Sequence, residues 1–136
     1  MNFISIFKRV CSDQGVKASI DEERAGKDYL YTCQRGCVRF EFFVETKGDT
    51  PAAIQYGLLN SDNELDDANI YDHDDGSMLT ENDMEECIIW MLEDVNERYE
   101  NETKFRKLLN KVFAQVDNHT ELQILFDVFT DLCKNH

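Results

Sequence analysis

Residues 28–45 read DYLYTCQRGCVRFEFFVE, and this stretch decides the fold. On both sides of Gly36, apolar and polar residues alternate with a period of two, which is the pattern of strands with one buried face. The three residues Gln34-Arg35-Gly36 favour a hairpin loop with glycine in the left-handed conformation, followed by a bulge. The stretch therefore predicts two paired antiparallel strands.

Two further strands are expected beside this hairpin. Residues 16–20 alternate between apolar and polar before it, and residues 54–58 alternate after it. Residues 22–27 are polar and are predicted to be a connection, and residues 47–51 are predicted to be a turn. An antiparallel sheet of about four strands with one apolar face needs helices to cover that face.

Helical periodicity flanks the sheet on both sides. Apolar residues from Phe3 to Cys11 recur at intervals of three and four, which predicts an N-terminal helix ending near Gly15. Residues 60–80 are polar, acidic and almost without pattern. Thr80 with Asp83 then resembles a capping box that opens a second helix.

Three helices are predicted after residue 80, and the last two are expected to form a hairpin over residues 102–134. In the first of them, Ile89, Trp90 and Leu92 widen the apolar stripe, so we expect this helix to be covered on more than one side. The second carries apolar residues from Phe105 to Val116. We expect the hairpin either to close one side of the sheet or to form a homodimer.

The element order predicts an α+β protein: an N-terminal helix, an antiparallel sheet of about four strands, then three C-terminal helices. The chain has 136 residues, which suits a single domain spanning residues 1–136. The acidity and the opening helix before a meander resemble chaperones of bacterial type III secretion and several small immunity proteins. This resemblance rests on size and element order, and no motif residue assigns a family.

The charge is concentrated in one segment. The chain has 14 basic and 28 acidic residues, a net charge of −14, which excludes general attraction to nucleic acid or to an anionic membrane. Residues 48–97 contain 15 of the acids and no Lys or Arg. The rest of the chain is close to neutral, with 13 acids and 14 bases.

The helix after Thr80 keeps like charges together. Glu81–Glu85 and Glu93–Glu97 are like-charged pairs four residues apart, each costing roughly 0.2–0.5 kcal/mol. The plain alternative is a solvated surface. Because no nearby basic residue offsets the repulsion between these glutamates, the pattern suggests that the surface binds a basic partner. The predicted partner-binding residues are Glu86, Glu93, Glu97, Asp62, Asp66, Asp67, Asp72, Asp74 and Asp75.

Chemistry other than binding finds little support. No nucleophile elbow, P-loop, dinucleotide fingerprint or zinc-protease motif is present, so we predict neither an enzyme nor a cofactor. Aligning Gly76 with the glycine of an EF-hand loop leaves Tyr71, His73 and Asn82 where ligands are needed. Weak divalent-metal binding, or an enzyme using this Asp-rich loop, stays as an alternative.

The five cysteines are odd in number, which favours reduced, buried thiols in a cytoplasm. Cys33 and Cys37 flank the hairpin turn, and their alternatives are packing, a redox pair or part of a zinc site. The short apolar run at the N-terminus lacks the features of a signal peptide, and no segment approaches the roughly 20 apolar residues of a membrane span. These observations also favour a cytoplasmic protein.

The sequence thus predicts a small acidic cytoplasmic binding protein. Its first expected role is that of an inhibitor that engages a basic, nucleic-acid-handling protein, as phage counter-defence and immunity proteins do. The alternative is a secretion-type chaperone or adaptor for an effector. We expect no direct nucleic-acid binding and no membrane association.

Overall fold

The structure is a computed structural model. It describes the backbone of residues 2–114 and 119–135 and the side chains of residues 2–114 and 123–132. The α+β class is confirmed, with an antiparallel sheet of five strands where about four were predicted. The elements are α1 (Phe3–Asp13), β1 (Ser19–Ala25), β2 (Asp28–Arg35), β3 (Val38–Lys47), β4 (Thr50–Leu59), β5 (Leu65–Asp72), α2 (Glu81–Phe113) and α3 (His119–Asn135).

The sheet is a simple meander in the order β1-β2-β3-β4-β5. At its centre, Arg35 pairs with Val38, so the β2–β3 loop is the dipeptide Gly36-Cys37. The predicted left-handed glycine is confirmed, because Gly36 has φ +60°. The predicted three-residue loop is wrong: the positive φ at the first of two loop residues is the arrangement of a type II′ turn, which needs no bulge.

Strand β1 (Ser19–Ala25) begins three residues later than the predicted strand 16–20 and extends five residues beyond its end. Residues 22–25, predicted as part of a connection, pair with β2, and only Gly26 and Lys27 form the loop. The Tyr31 hydroxyl donates a hydrogen bond of 2.8 Å to Oε1 of Glu22 across the two strands. An edge strand is held by backbone hydrogen bonds and tolerates charged side chains, which is why apolar alternation is absent there.

Strand β5 lies inside the segment predicted to lack regular structure. It pairs with β4 at the other edge of the sheet, and only Leu65 and Tyr71 of its eight residues are half-buried. The loop before it is closed by Asn60, whose Oδ1 accepts from the backbone N–H groups of Asp62 at 2.9 Å and Glu64 at 3.1 Å. Hydrogen bonds from the backbone to an Asn side chain are typical of turns, and this turn reverses the chain so that β5 runs antiparallel to β4.

Helix α2 replaces two predicted helices with one of 33 residues. Nothing between residues 81 and 113 breaks a helix, since this stretch contains neither glycine nor proline. The capping box at its start is confirmed: the Asp83 N–H donates to Oγ1 of Thr80 at 3.2 Å, and the Thr80 N–H donates to Oδ2 of Asp83 at 2.7 Å.

The core lies between one face of the sheet and the helices α1 and α2. The ring of Phe3 on α1 stacks on Tyr31 at 4.5 Å between centroids and meets the edge of Phe42 at 5.0 Å. Helix α2 contributes Met91, Leu92 and other fully buried residues to the same cluster.

The C-terminal part of α2 packs against α3. The Phe105 and Phe129 rings stack with centroids 6.1 Å apart, and Leu109, one turn after Phe105, is buried. Residues 115–118 of the predicted hairpin 102–134 lie outside the described residues. Within the described part, no helix is long and apolar enough to cross a membrane.

Candidate functional site

Helix α2 presents an exposed stripe of three glutamates and one tryptophan. Glu86, Trp90, Glu93 and Glu97 are spaced by four, three and four residues, so they lie on one side of the helix. All three glutamates are exposed, as predicted, and Trp90 is 45% exposed. We call this set the acidic stripe.

The exposure of Trp90 corrects the prediction that α2 is covered on this side. Leu92 is fully buried and Ile89 packs against the core, so these two neighbours do widen the buried stripe. Trp90 lies beside them on the exposed side of the helix, and its ring is 5.3 Å from that of Tyr71 on the edge strand β5. The signal available in the sequence was its spacing from Glu86 and Glu93.

Tyr71 holds the indole in place. Its hydroxyl donates a hydrogen bond of 3.2 Å to Oδ1 of Asp83, the third residue of α2 and a member of its capping box. Burial, and then the nearby carboxylates of Asp83 and Glu86, raise the pKa of Tyr71 to about 12. The phenol therefore keeps its proton, and this hydrogen bond, throughout the neutral range.

An open polar cleft of about 470 Å³ adjoins the stripe, between strands β4–β5 and α2. Four carboxylates line it, of which Asp66 and Asp67 come from β5 and Asp94 and Glu97 from α2. Arg98 is the single cation among its lining residues. Glu97 thus belongs both to the stripe and to the cleft, and the two surfaces are continuous.

A bulge in the β4–β5 pairing shapes the cleft. The register shifts between Tyr56 and Leu58, and Asp67 opposite them has φ +50°, a left-handed conformation that aspartate tolerates better than most residues. A Cβ on Gly57 would lie 3.3 Å from Cδ2 of Leu65, so glycine permits the close approach of β5. The bulge re-aims the strand as it reaches Asp66 and Asp67.

The other predicted acids are exposed but are not brought into the cleft. Asp62 lies in the β4–β5 loop, and Asp72, Asp74 and Asp75 lie at and beyond the end of β5. The carboxylate of Asp75 accepts from the Ser77 N–H at 2.9 Å, and hydrogen bonds from Ser77 lower the pKa of Asp75. Asp94, which the prediction omitted, lines the cleft instead.

The charge of this surface is not neutralised locally. In the described part of the chain, Arg9 forms an ion pair with Glu85 at 3.1 Å, and Nε2 of His73 lies 3.1 Å from Oδ2 of Asp83. None of the nine predicted partner-binding acids belongs to either pair. The acidic stripe and the cleft therefore offer carboxylates to a ligand without first breaking an internal ion pair.

The described part of the chain holds no cluster of metal ligands, and Cys11, Cys33, Cys37 and Cys87 are free thiols. No group of three or more His, Cys, Asp or Glu side chains there is arranged to hold a metal ion. Cys33 is buried in the core and Cys37 lies in the loop, and both are free thiols. Burial raises the pKa of Cys33, and Arg106 donates a hydrogen bond of 3.3 Å to Sγ of Cys37.

Comparisons of the chain with protein families, with characterised proteins and with solved structures find no match.

Proposed function

We propose that this protein binds a basic surface of another protein through the acidic stripe and the carboxylates of the adjoining cleft. The observation that carries the proposal is the position of Trp90, exposed in the middle of Glu86, Glu93 and Glu97. Tryptophan is enriched at protein interfaces, because its large apolar ring and its N–H group can both contact a partner.

An indole among carboxylates suits arginine in particular. A guanidinium stacks on the indole face, which is worth ~0.5–2 kcal/mol depending on desolvation. The same group donates paired hydrogen bonds to a carboxylate in a planar geometry. Trp and Arg are also the residues most enriched among those that dominate binding energy at protein interfaces.

The excess negative charge should also increase the association rate with a basic partner. A net charge of −14, concentrated in residues 48–97, attracts a basic partner over several ångströms and raises its association rate. The partner class we propose is a nucleic-acid-handling protein in the cytoplasm, whose phosphate-binding groove accepts the carboxylates in place of phosphates. The protein would then act as an inhibitor of the counter-defence or immunity type.

A matched pair of variants tests the surface. The first changes Glu86, Glu93 and Glu97 to Lys. The second makes the same change in net charge at Asp21, Glu23 and Glu45, three exposed acids outside both the acidic stripe and the cleft. Both variants are titrated with a fluorescent arginine-rich peptide over a range of salt concentrations.

We expect the stripe variant to lose at least about tenfold in affinity and the control variant to stay within about threefold of the parent, since removing a specific charge pair costs more than a change in overall field. Trp90 is the single tryptophan of the chain, so its fluorescence should change when the peptide binds the parent protein. Equal losses in the two variants, or unchanged Trp90 fluorescence at saturation, would show that the stripe is not the site.

The partner class is tested separately with the native host. The parent, the stripe variant and the control variant are used as baits, and proteins retained by the parent and the control but not by the stripe variant are identified. We expect these proteins to bind nucleic acid, and duplex DNA or RNA should displace them from the parent. Partners without a nucleic-acid site would contradict this class while leaving the basic-surface proposal intact.

A further inference from the structure

The C-terminal helices expose an apolar surface that the acidic stripe does not use. In the described residues seven large apolar side chains are exposed, and five of them belong to this part of the chain. These five are Leu108 at 57%, Val112 at 37%, Ile124 at 57%, Phe126 at 55% and Val128 at 48%.

Four of the five lie on one face of the helix pair. Phe105 and Phe129, which stack on each other, mark the seam between α2 and α3. An α-helix turns by 100° per residue. Counted from Phe105, this rotation places Leu108 and Val112 on one side of the seam in α2. The same count places Ile124 and Val128 on that side in antiparallel α3, and Phe126 on the other side.

The charges that border this face differ in sign between the two helices. Residues 102–113 of α2 carry four basic residues and one acidic residue, and the sequence of α3 carries three acidic residues and one lysine. The same angular count puts Lys104 and Lys111 at the outer border of the apolar face on α2, and Asp131 at its outer border on α3. One edge of the face is therefore basic and the other is acidic.

We infer that this face is a homodimer interface, in which the two helix pairs of two copies form a four-helix bundle. With α2 of one copy against α3 of the other, each basic border meets an acidic border. The alternative packing, α2 against α2, would bring lysines against lysines. Charge complementarity thus favours a second copy of this chain as the occupant and selects one of the two arrangements.

The bundle also explains how so lightly buried a helix pair is stabilised. Leu109 is the one residue in the described part of 102–135 that is nearly fully buried, at 8% exposure. Most helical stability in proteins comes from burying an amphipathic face. Two helices that bury so few apolar side chains between them gain little stability from their contact. A second copy would cover Leu108, Val112, Ile124 and Val128 together.

Light scattering coupled to size exclusion tests the inference on the full chain. We expect the parent to have twice the 15.9 kDa mass of the chain. The double variant Leu108→Glu, Val128→Glu should be a monomer with an unchanged circular dichroism spectrum, since both positions are exposed within one copy. The control Phe126→Glu, an equally exposed position on the other side of the seam, should remain a dimer.

A charge exchange tests the arrangement itself. Lys104→Glu with Lys111→Glu should weaken the dimer, and adding Asp131→Lys to the same chain should partly restore it. A monomeric parent at the highest accessible concentration would overturn the inference, as would a dimer that survives the Leu108 and Val128 changes. A monomeric parent that instead binds apolar peptides through this face would favour the chaperone alternative.

Discussion

The ring of Tyr99 on α2 packs so closely against Gly36 that a Cβ on the glycine would lie 2.9 Å from Cε2 of the ring. The guanidinium of the neighbouring Arg35 lies over the same ring, 3.9 Å from its centroid, and donates a hydrogen bond to Oδ1 of Asn96. The tip of the β2–β3 hairpin is thereby fixed to the middle of α2, close to the end of the acidic stripe.

Gly36→Ala should destabilise the protein more than Gly26→Ala. Both glycines have positive φ, +60° and +66°, so alanine at either position costs roughly 1–2 kcal/mol in backbone strain. Only Gly36 also has a ring within 3 Å of the added methyl, whereas nothing lies within 4 Å at Gly26. Urea unfolding measures both losses, and equal values would mean that the Gly36–Tyr99 contact is not maintained in solution.

Asp83→Ala should cost about 1 kcal/mol at neutral pH, because it removes half of the capping box of α2. The control Asn82→Ala, at an exposed position in the same turn, should change little. Hydrogen bonds from Thr80, first from its backbone N–H, lower the pKa of Asp83 in the folded protein.

The sign of the pH dependence follows from that lowered pKa. Asp83 binds a proton less readily in the folded protein than in the unfolded chain. The stabilisation that its carboxylate provides is therefore fully present above the pKa of Asp in the unfolded chain, ~3.9, and is lost as the pH falls through the lower pKa of the folded protein. The stability difference between the parent and Asp83→Ala should therefore shrink below about pH 4. A difference that stays constant down to pH 2 would contradict a role for the charged carboxylate.

Three thiols should be unreactive in the folded protein. Burial raises the pKa values of Cys11, Cys33 and Cys87, which suppresses the thiolate, and each side chain is shielded from reagents. In a Cys133→Ser background, a thiol reagent at neutral pH should label Cys37 alone until denaturant is added.

Adding reductant or chelator should leave the melting temperature unchanged if these cysteines serve packing. Labelling of more than one thiol in the native state would show that the core opens, and a fall in melting temperature with chelator would revive the zinc alternative.

Reversing Glu86, Glu93 and Glu97 to Lys should leave stability unchanged or raise it slightly. The three side chains are exposed and contribute little to folding, and the change reduces the magnitude of the net charge. The Glu93–Glu97 pair becomes a lysine pair at the same spacing, so its like-charge repulsion is unchanged. The midpoint of thermal unfolding is the measurement. A large fall would mean that these residues serve the fold, and a loss of binding in the same variant could no longer be assigned to the surface.

Much of the architecture could be predicted because it depends on local patterns. The alternation around Gly36, the apolar repeat from Phe3 to Cys11 and the capping box at Thr80 each reflect a burial or hydrogen-bonding requirement met within a few residues of the chain. The acids at Glu86, Glu93 and Glu97 were found by the same kind of reasoning, since helical spacing places them on one exposed side.

The two edge strands were harder to predict because their side chains carry little pattern. Residues 22–25 and 65–72 are mostly exposed, and what holds them is backbone pairing with a neighbouring strand. Such pairing depends on the position of the neighbour and is compatible with nearly any side chain. The predicted break before Phe105 failed for a related reason, since a polar stretch continues a helix when no residue interrupts it.

The sequence by itself determined the class of the fold, the hairpin around Gly36, the start of α2 and the concentration of charge in residues 48–97. Only the tertiary structure decided that β5 stands beside α2, that Trp90 is left exposed against Tyr71, and that Asp66 and Asp67 meet Asp94 and Glu97 in one cleft. The physical reason is that periodicity indicates which face of a helix or strand is apolar. Which other element packs against that face depends on segments far away in the chain. A functional surface made between an edge strand and a helix is therefore visible only once both are in place.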